Sequence, residues 1–327
     1  MSIRPVVVSP ANGTIVAVQI TVIMPAFNEE QGIGAVLRGM TESPHFGADI
    51  DIIVAANGCT DDTAAVARSC GVRVLEITTP SKIAALNAAD EIATGDVRIY
   101  LDADMAVPVE LLRELAAAIA EPGVEAAAPR PEIDTADSSW PVRSYYRINA
   151  RLPVFKGRLF GRGLIALSAA ARARFTHFPD IIADDMFLDA VVRSTEKRDV
   201  DLPVRVVAPR RTGDLIRRVA RSRAGNAEFW HFVRTDPRGA ELALDPVPGS
   251  SPFSWLSRVV GTSPSLFPAA FCYVAITVVA ELRRRSPGWN VRTGWGRPGG
   301  GNPDRHTGGS DPQSAVETPG GGRGSRS

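Results

Sequence analysis

The chain has 327 residues, 44% hydrophobic and 22% charged, with a formal net charge of +1. That length and apolar content allow one or two globular domains with a sizeable core and exclude a fully disordered chain. The near-zero net charge argues against nucleic acid as a partner, because such binding leaves a strongly basic footprint.

Residues 1–19 read as a flexible lead-in. Ile20–Met24 is a strand stopped by Pro25, and Glu29–Met40 is helical. Ile50–Val54 is a second strand. Thr60 is a natural N-cap for a helix over 61–70, with Asp61 and Asp62 in its first turn and Gly71 as its stop. Val72–Ile77 is a third strand. Ser81 caps a helix over 82–94 that Gly95 ends as a C′ residue. The apolar run Val97–Leu101 is a strand that ends in Asp102-Ala103-Asp104. A helix follows from Pro108, an N1 proline, to Ala120, and Ala126–Pro129 is a further short strand. Repeated β-α-β units with short links predict an α/β fold with a mostly parallel, doubly wound sheet. From Glu132 to Arg211 the pattern is less regular, and this half is expected to cover the carboxyl edge of the sheet. Asp214–Phe232 is a basic helix. Residues 286–327, dense in Gly, Pro, Ser and Arg, read as disordered.

The chemistry is expected where these strands end, because ligands of open α/β sheets bind outside the carboxyl ends of the strands. Five segments stand out. Pro25-Ala26-Phe27-Asn28-Glu29 forms a turn into a helix, where backbone N–H groups face a ligand. Asn57-Gly58-Cys59-Thr60 follows strand two. Lys82 opens the third helix, where a cation meets a phosphate. Asp102 and Asp104 repel each other unless a cation joins them, and a hard divalent ion held by one or two carboxylates leaves positions for phosphate oxygens. Asp184-Asp185 lies about 80 residues downstream. Read singly, each has an ordinary structural alternative: a tight turn at Asn57-Gly58, a solvated Lys82, a helix start at Asp184-Asp185. Gly161-Arg162-Gly163 reads as a turn before the strand Leu164–Leu167, and His177 and Trp230 read as packing residues. Cys59, Cys70 and Cys272 give no disulfide framework or metal-ligand spacing and suit a reducing cytosol. The scattered His45, His177, His231 and His306 give no zinc site. No secretory signal follows Met1.

In order and content, these segments resemble the family 2 glycosyltransferases, which have the GT-A fold of nucleotide-diphospho-sugar transferases. The resemblance runs from about Ile20 to about Phe232. It implies a GT-A domain over 20–235, with a nucleotide-sugar half at 20–130 and an acceptor-side half at 131–235. It implies that Pro25, Ala26, Phe27, Asn28 and Glu29 line the nucleotide pocket and that Lys82 sits close to the nucleotide. Asp102 would contact ribose or metal, and Asp104 would be the main ligand of Mg²⁺ or Mn²⁺. Asp185 matches the second acid of the family's Glu-Asp pair, the expected general base, and Asp184 stands where the family more often has Glu. Arg217, Arg218, Arg221 and Arg223 lie where relatives carry an arginine motif near the diphosphate, though the same stretch equally suits a basic face toward a membrane. One departure matters. Where relatives read Asp-Asp-Gly-Ser, this chain has Ala56-Asn57-Gly58-Cys59. Asn57 offers a carbonyl acceptor beside an NH₂ donor, which suits uracil, thymine or guanine and leaves UDP-, GDP- and dTDP-sugars all open. One base and no protein nucleophile implies a single inverting displacement onto a hydroxyl acceptor, lipid-linked or polysaccharide. Two other readings compete: a sugar-nucleotidyltransferase, against which the absent glycine- and arginine-rich loop counts, and a degenerate transferase domain serving as a membrane-associated scaffold.

Residues 236–285 form a C-terminal apolar segment. Val259–Ala280 carries no charge, yet Pro264 and Pro268 interrupt it, and the following Arg283-Arg284-Arg285 opposes export across a bilayer. An interfacial or re-entrant anchor on the inner face of the cell membrane, with the arginines on anionic lipid, fits better than a span.

Overall fold

The computed structural model describes residues 7–8, 15–16, 18–152, 155, 157–244 and 263–286. The expected disordered tail after Ser286, and the start of the C-terminal apolar run at 259–262, lie outside the described residues.

A seven-stranded sheet forms the centre, in the order β5-β4-β3-β6-β8-β7-β9. Its strands are β3 (Ile20–Ala26), β4 (Ile50–Asn57), β5 (Arg73–Ile77), β6 (Val97–Leu101), β7 (Ala126–Asp134), β8 (Leu164–Ser168) and β9 (Lys197–Val207). Every neighbour pair is parallel except those made by β8, which runs antiparallel to β6 and β7. The expected mostly parallel sheet is therefore present. β3 is buried along all seven of its residues, as a central strand covered on both faces must be.

Helices cover both faces. α1 (Glu30–Thr41), α2 (Thr63–Ser69) and α4 (Val109–Ile119) pack Leu37, Met40, Leu111 and Leu115 against one side. On the other side α3 (Lys82–Ile92), α6 (Ala169–Arg172), α7 (Asp184–Val191) and α8 (Thr212–Thr235) enclose Ile53, Leu86, Phe187 and Phe229. α5 (Trp140–Asn149) and α9 (Phe267–Arg285) pack on each other beside α8.

Several local expectations need correction. The lead-in contains a two-stranded antiparallel ribbon, β1 (Val7–Val8) with β2 (Ile15–Val16). Thr60 does not cap α2: its hydroxyl accepts from the Asn28 side chain, and Asp61 Oδ1 accepts from the Thr63 N–H at 3.1 Å. Ser81 does cap α3, accepting from Ala84 N at 3.2 Å. Gly95 is not a left-handed cap; it lies against β3, where an added Cβ would sit 2.6 Å from Thr21 N. Pro108 is the N-cap of α4 rather than its first helical residue. α9, within the expected C-terminal apolar segment, packs on α5 and α8, with Tyr273 stacked on Tyr145 at 4.9 Å between ring centres. No helix among the described residues is long and apolar enough to cross a membrane.

Candidate active site

The carboxyl ends of β3 and β6, the start of α3, the loop before β8 and the start of α7 surround one open cleft of about 1200 Å³. Among the residues singled out in the sequence, Pro25, Phe27, Glu29, Lys82, Asp102, Asp104, Asp184, Asp185 and Arg221 all line it. Residues from five distant segments thus meet at the edge to which the parallel strands carry their C-terminal turns.

Ala26, Asn28 and Asn57 do not line the cleft and act behind it. Asn28 adopts a left-handed backbone, φ 49°, uncommon for a non-glycine residue. Its Oδ1 accepts from Thr60 N at 2.8 Å, tying the turn after β3 to the turn after β4. Glu29 N donates to Thr63 Oγ1 at 2.7 Å, a second tie. Asn57 is fully buried, and its Nδ2 donates to the Ala26 carbonyl at 2.9 Å and toward the Ala55 carbonyl at 3.3 Å. The amide donor expected to face a base edge is thus committed to the strand ends. Gly58, φ 58°, passes so close to Pro80 that an added Cβ would lie 2.7 Å from its ring. These contacts give this wall of the cleft a fixed shape.

At the cleft floor Lys82 joins the two acid pairs. Its Nζ lies 3.0 Å from Asp102 Oδ1 and 3.0 Å from Asp184 Oδ2. Burial alone would lower this ammonium, but the two carboxylates outweigh it and hold Lys82 above its usual value. Asp184 is therefore occupied by the lysine, whereas Asp185 is held differently. Gly161 N donates to Asp185 Oδ2 at 2.7 Å and Met186 N to Oδ1 at 2.8 Å. Desolvation, with the neighbouring Asp184 charge, raises the Asp185 carboxyl to about 6, against the opposing pull of those N–H groups and of Lys82. A carboxyl tuned upward inside a cleft is the usual mark of a proton-transferring group.

Gly161-Arg162-Gly163, in sequence a turn where the family resemblance also implies acceptor-site backbone, is a loop that connects the two acid motifs. Gly161 holds Asp185, and the Gly163 carbonyl accepts from Asp102 N at 2.9 Å. Both glycines are left-handed, φ 75° and 68°, as such a loop requires. Arg162 anchors the loop from beneath: it is buried and donates to the Pro129 carbonyl at 2.7 Å and to Asp199 Oδ1 at 2.5 Å. One helical turn beyond Asp185, Asp189 accepts from Leu159 N at 2.8 Å and pairs with Lys197 at 2.9 Å and Arg158 at 3.3 Å. The doublet of flanking glycines was the available signal; the long-range pairing partners were not.

The far wall comes from α8 and from the β7 and β9 ends. Arg218, Arg221, Ser222, Asn226 and Trp230 face the cleft from α8, at helical spacing on one face. Trp230 is thus a cleft residue rather than a packing one, and His177 is exposed beside Glu91 rather than packed. Arg217 pairs with Asp214, and Arg223 with Glu281 of α9, so neither faces the cleft.

The donor set suits a hard cation only in part. Asp102 and Asp104 offer carboxylate oxygens one residue apart, but among the described residues no cluster of three or more His, Cys, Asp or Glu side chains forms a metal cage. Mg²⁺ characteristically binds through one or two carboxylates plus substrate phosphates, and this pair matches that pattern.

Residues 21–172 match the family model described as glycosyl transferase family 2. The glycosyltransferase AglD of Haloferax volcanii is 32% identical over 121 residues, covering 34% of this chain and 19% of that protein. The 4,4'-diaponeurosporenoate glycosyltransferase of Staphylococcus aureus is 41% identical over 58 residues, covering 18% of this chain and 15% of its own length. The chain therefore spans at most 19% of the length of these curated relatives. Among solved structures, a mannosyltransferase from Pyrobaculum calidifontis, in complex with GDP-mannose and Mn²⁺, superposes with a TM-score of 0.58 at 21% identity, covering 83% of this chain and 88% of that one. That likeness is one of fold. Sheet order, matched segment and superposition agree: residues 21–172 are a glycosyltransferase family 2 domain, built on the GT-A fold.

Proposed function

We propose that the protein transfers a sugar from a nucleotide-diphospho-sugar to an acceptor hydroxyl, in a single inverting step with Asp185 as general base. The observation that carries this reading is the separation of roles around Lys82. One acid pair, Asp102 and Asp104, stands at the nucleotide side; the other presents Asp185 held by two backbone N–H groups and raised to about 6.

In this reading Pro25, Phe27 and Glu29 bound the nucleotide, and Lys82 and Arg221 meet the diphosphate. Asp104, with Asp102, would hold Mg²⁺ or Mn²⁺, which when bound supplies Lewis-acid stabilisation of the leaving diphosphate. The acceptor oxygen bonds to the anomeric carbon as the carbon–oxygen bond to the diphosphate breaks. Asp185 takes the hydroxyl proton, and the diphosphate leaves with the electron pair. Proton removal of this kind contributes about 10²–10⁴-fold. Asp184 keeps Lys82 in place and is a positioning residue. Gly161 N–H aims Asp185 and favours its ionised form.

The test is thermal stabilisation and donor turnover across UDP-, GDP- and dTDP-sugars, with and without Mn²⁺. A nucleotide-specific, metal-dependent rise in melting temperature with release of nucleotide diphosphate is expected. No response to any donor would refute the assignment and favour a catalytically silent scaffold.

A further inference from the structure

α9 is built inside out. Apart from Ile276 and the half-buried Tyr273, the side chains it turns toward α5 and α8 are small: Ala269, Ala270, Cys272 and Ala280. Most of its other large apolar side chains point to solvent. Phe267 is 69% exposed, Phe271 75% and Leu282 64%, with Val274, Val278 and Val279 between them. Their spacing of three and four residues draws one continuous stripe about 22 Å long along the helix. A contiguous exposed apolar patch rimmed by charged residues marks an interaction or membrane surface.

The charges around the stripe identify what covers it. Arg283 and Arg285 are exposed at its end. Three arginines, Arg223, Arg284 and Arg285, share the single carboxylate of Glu281, which leaves net positive charge there. The adjacent helix α5 and the turn after it expose Arg143, Arg147 and Arg151 at four-residue intervals, and Trp140, 57% exposed, stands at the start of α5. An apolar stripe, exposed arginines at its end and on the adjoining helix, and an exposed tryptophan are together the features of a helix lying in the plane of an anionic bilayer.

We infer that the outward face of α9 docks on an anionic lipid surface, with Phe267, Phe271, Val274, Val278 and Leu282 in the acyl boundary and the arginines at the headgroups. The helix lies flat, neither spanning nor re-entering the bilayer. No residue lining the cleft belongs to α9, so lipid docking and donor chemistry stand or fall separately.

The experiment is co-sedimentation of the full chain with phosphatidylglycerol vesicles and with phosphatidylcholine vesicles. Binding to the anionic vesicles is expected to exceed binding to the neutral ones and to weaken as salt rises. Phe271→Glu/Val278→Glu should lower the bound fraction at least about tenfold, and Arg143→Glu/Arg147→Glu should reduce it on anionic vesicles only. Both variants should keep the wild-type circular dichroism spectrum, because the altered side chains are exposed. Absent wild-type binding to phosphatidylglycerol, or equal binding by the Phe271→Glu/Val278→Glu variant, would overturn the inference. So would a wild-type dimer that the same substitutions dissolve without any vesicle binding.

Discussion

Replacing each loop glycine with alanine separates two physical effects at the point where the acid motifs are joined. Gly161 and Gly163 both have positive φ, 75° and 68°, so alanine at either carries a left-handed backbone cost of about 1–2 kcal/mol. They differ in their surroundings. A Cβ at Gly161 meets nothing within 4 Å, whereas one at Gly163 would fall 2.1 Å from Met105 Sδ and 3.1 Å from Asp102 Oδ2. Met105 is flexible and can swing aside in part, so overpacking adds about 1–2 kcal/mol. Gly163→Ala should therefore be destabilised by roughly 2–4 kcal/mol and Gly161→Ala by roughly 1–2 kcal/mol, read by urea denaturation. The same clash pushes on Asp102, so Gly163→Ala should also raise the Kd for donor plus Mn²⁺ in calorimetric titration, while Gly161→Ala should not. Equal destabilisation of the two variants, or unchanged donor affinity in Gly163→Ala, would refute the reasoning.

The remaining expectations concern protons, charge and metal. As a general base Asp185 would act ionised, and its carboxyl is raised to about 6, so kcat/KM should rise with pH through about 6 and level off above it. Lys82 helps to lower that carboxyl, so Lys82→Met should move the midpoint upward by about one unit, besides weakening donor binding; an unchanged midpoint would remove Lys82 from the base's environment. Asp104→Ala should abolish the Mn²⁺-dependent part of donor binding, seen as loss of the metal-induced thermal shift. Gly58→Ala, with φ 58° and Pro80 2.7 Å from the added Cβ, should lower the melting temperature without altering the pH profile.

The parallel half of the sheet was legible because its strands are short buried apolar runs between clear breakers. Ile20–Ala26, Ile50–Asn57 and Val97–Leu101 follow that pattern, and Asp102 and Asp104 fall at the strand end as the sequence placed them. β9 was not legible. Its residues Lys197–Val207 mix charges with Pro203, and it pairs with β7 through a register shift at Pro129/Arg130. Such features belong to an edge strand, where a proline N–H is not needed and burial is one-sided. The functional residues were legible as types but not as partners. Asp184 and Asp185 are identical neighbours in sequence, yet one meets Lys82 and the other Gly161 N–H. Asn57 was misread for the same reason: its side chain could have faced a nucleotide base, but two backbone carbonyls took its donors. The outward apolar face of α9 also needed the structure, because only packing shows which residues of its apolar stretch Phe267–Ala280 face outward.

The central claim is that Asp185 takes the acceptor proton in a cleft that binds a nucleotide-sugar. The most direct measurement compares wild type and Asp185→Asn for donor affinity and for sugar transfer, once the donor panel has identified the nucleotide. The substitution keeps shape and leaves the nucleotide wall untouched, so donor affinity should stay within a few-fold of wild type while transfer falls by about 10²-fold or more. Transfer at the wild-type rate by Asp185→Asn would contradict the account.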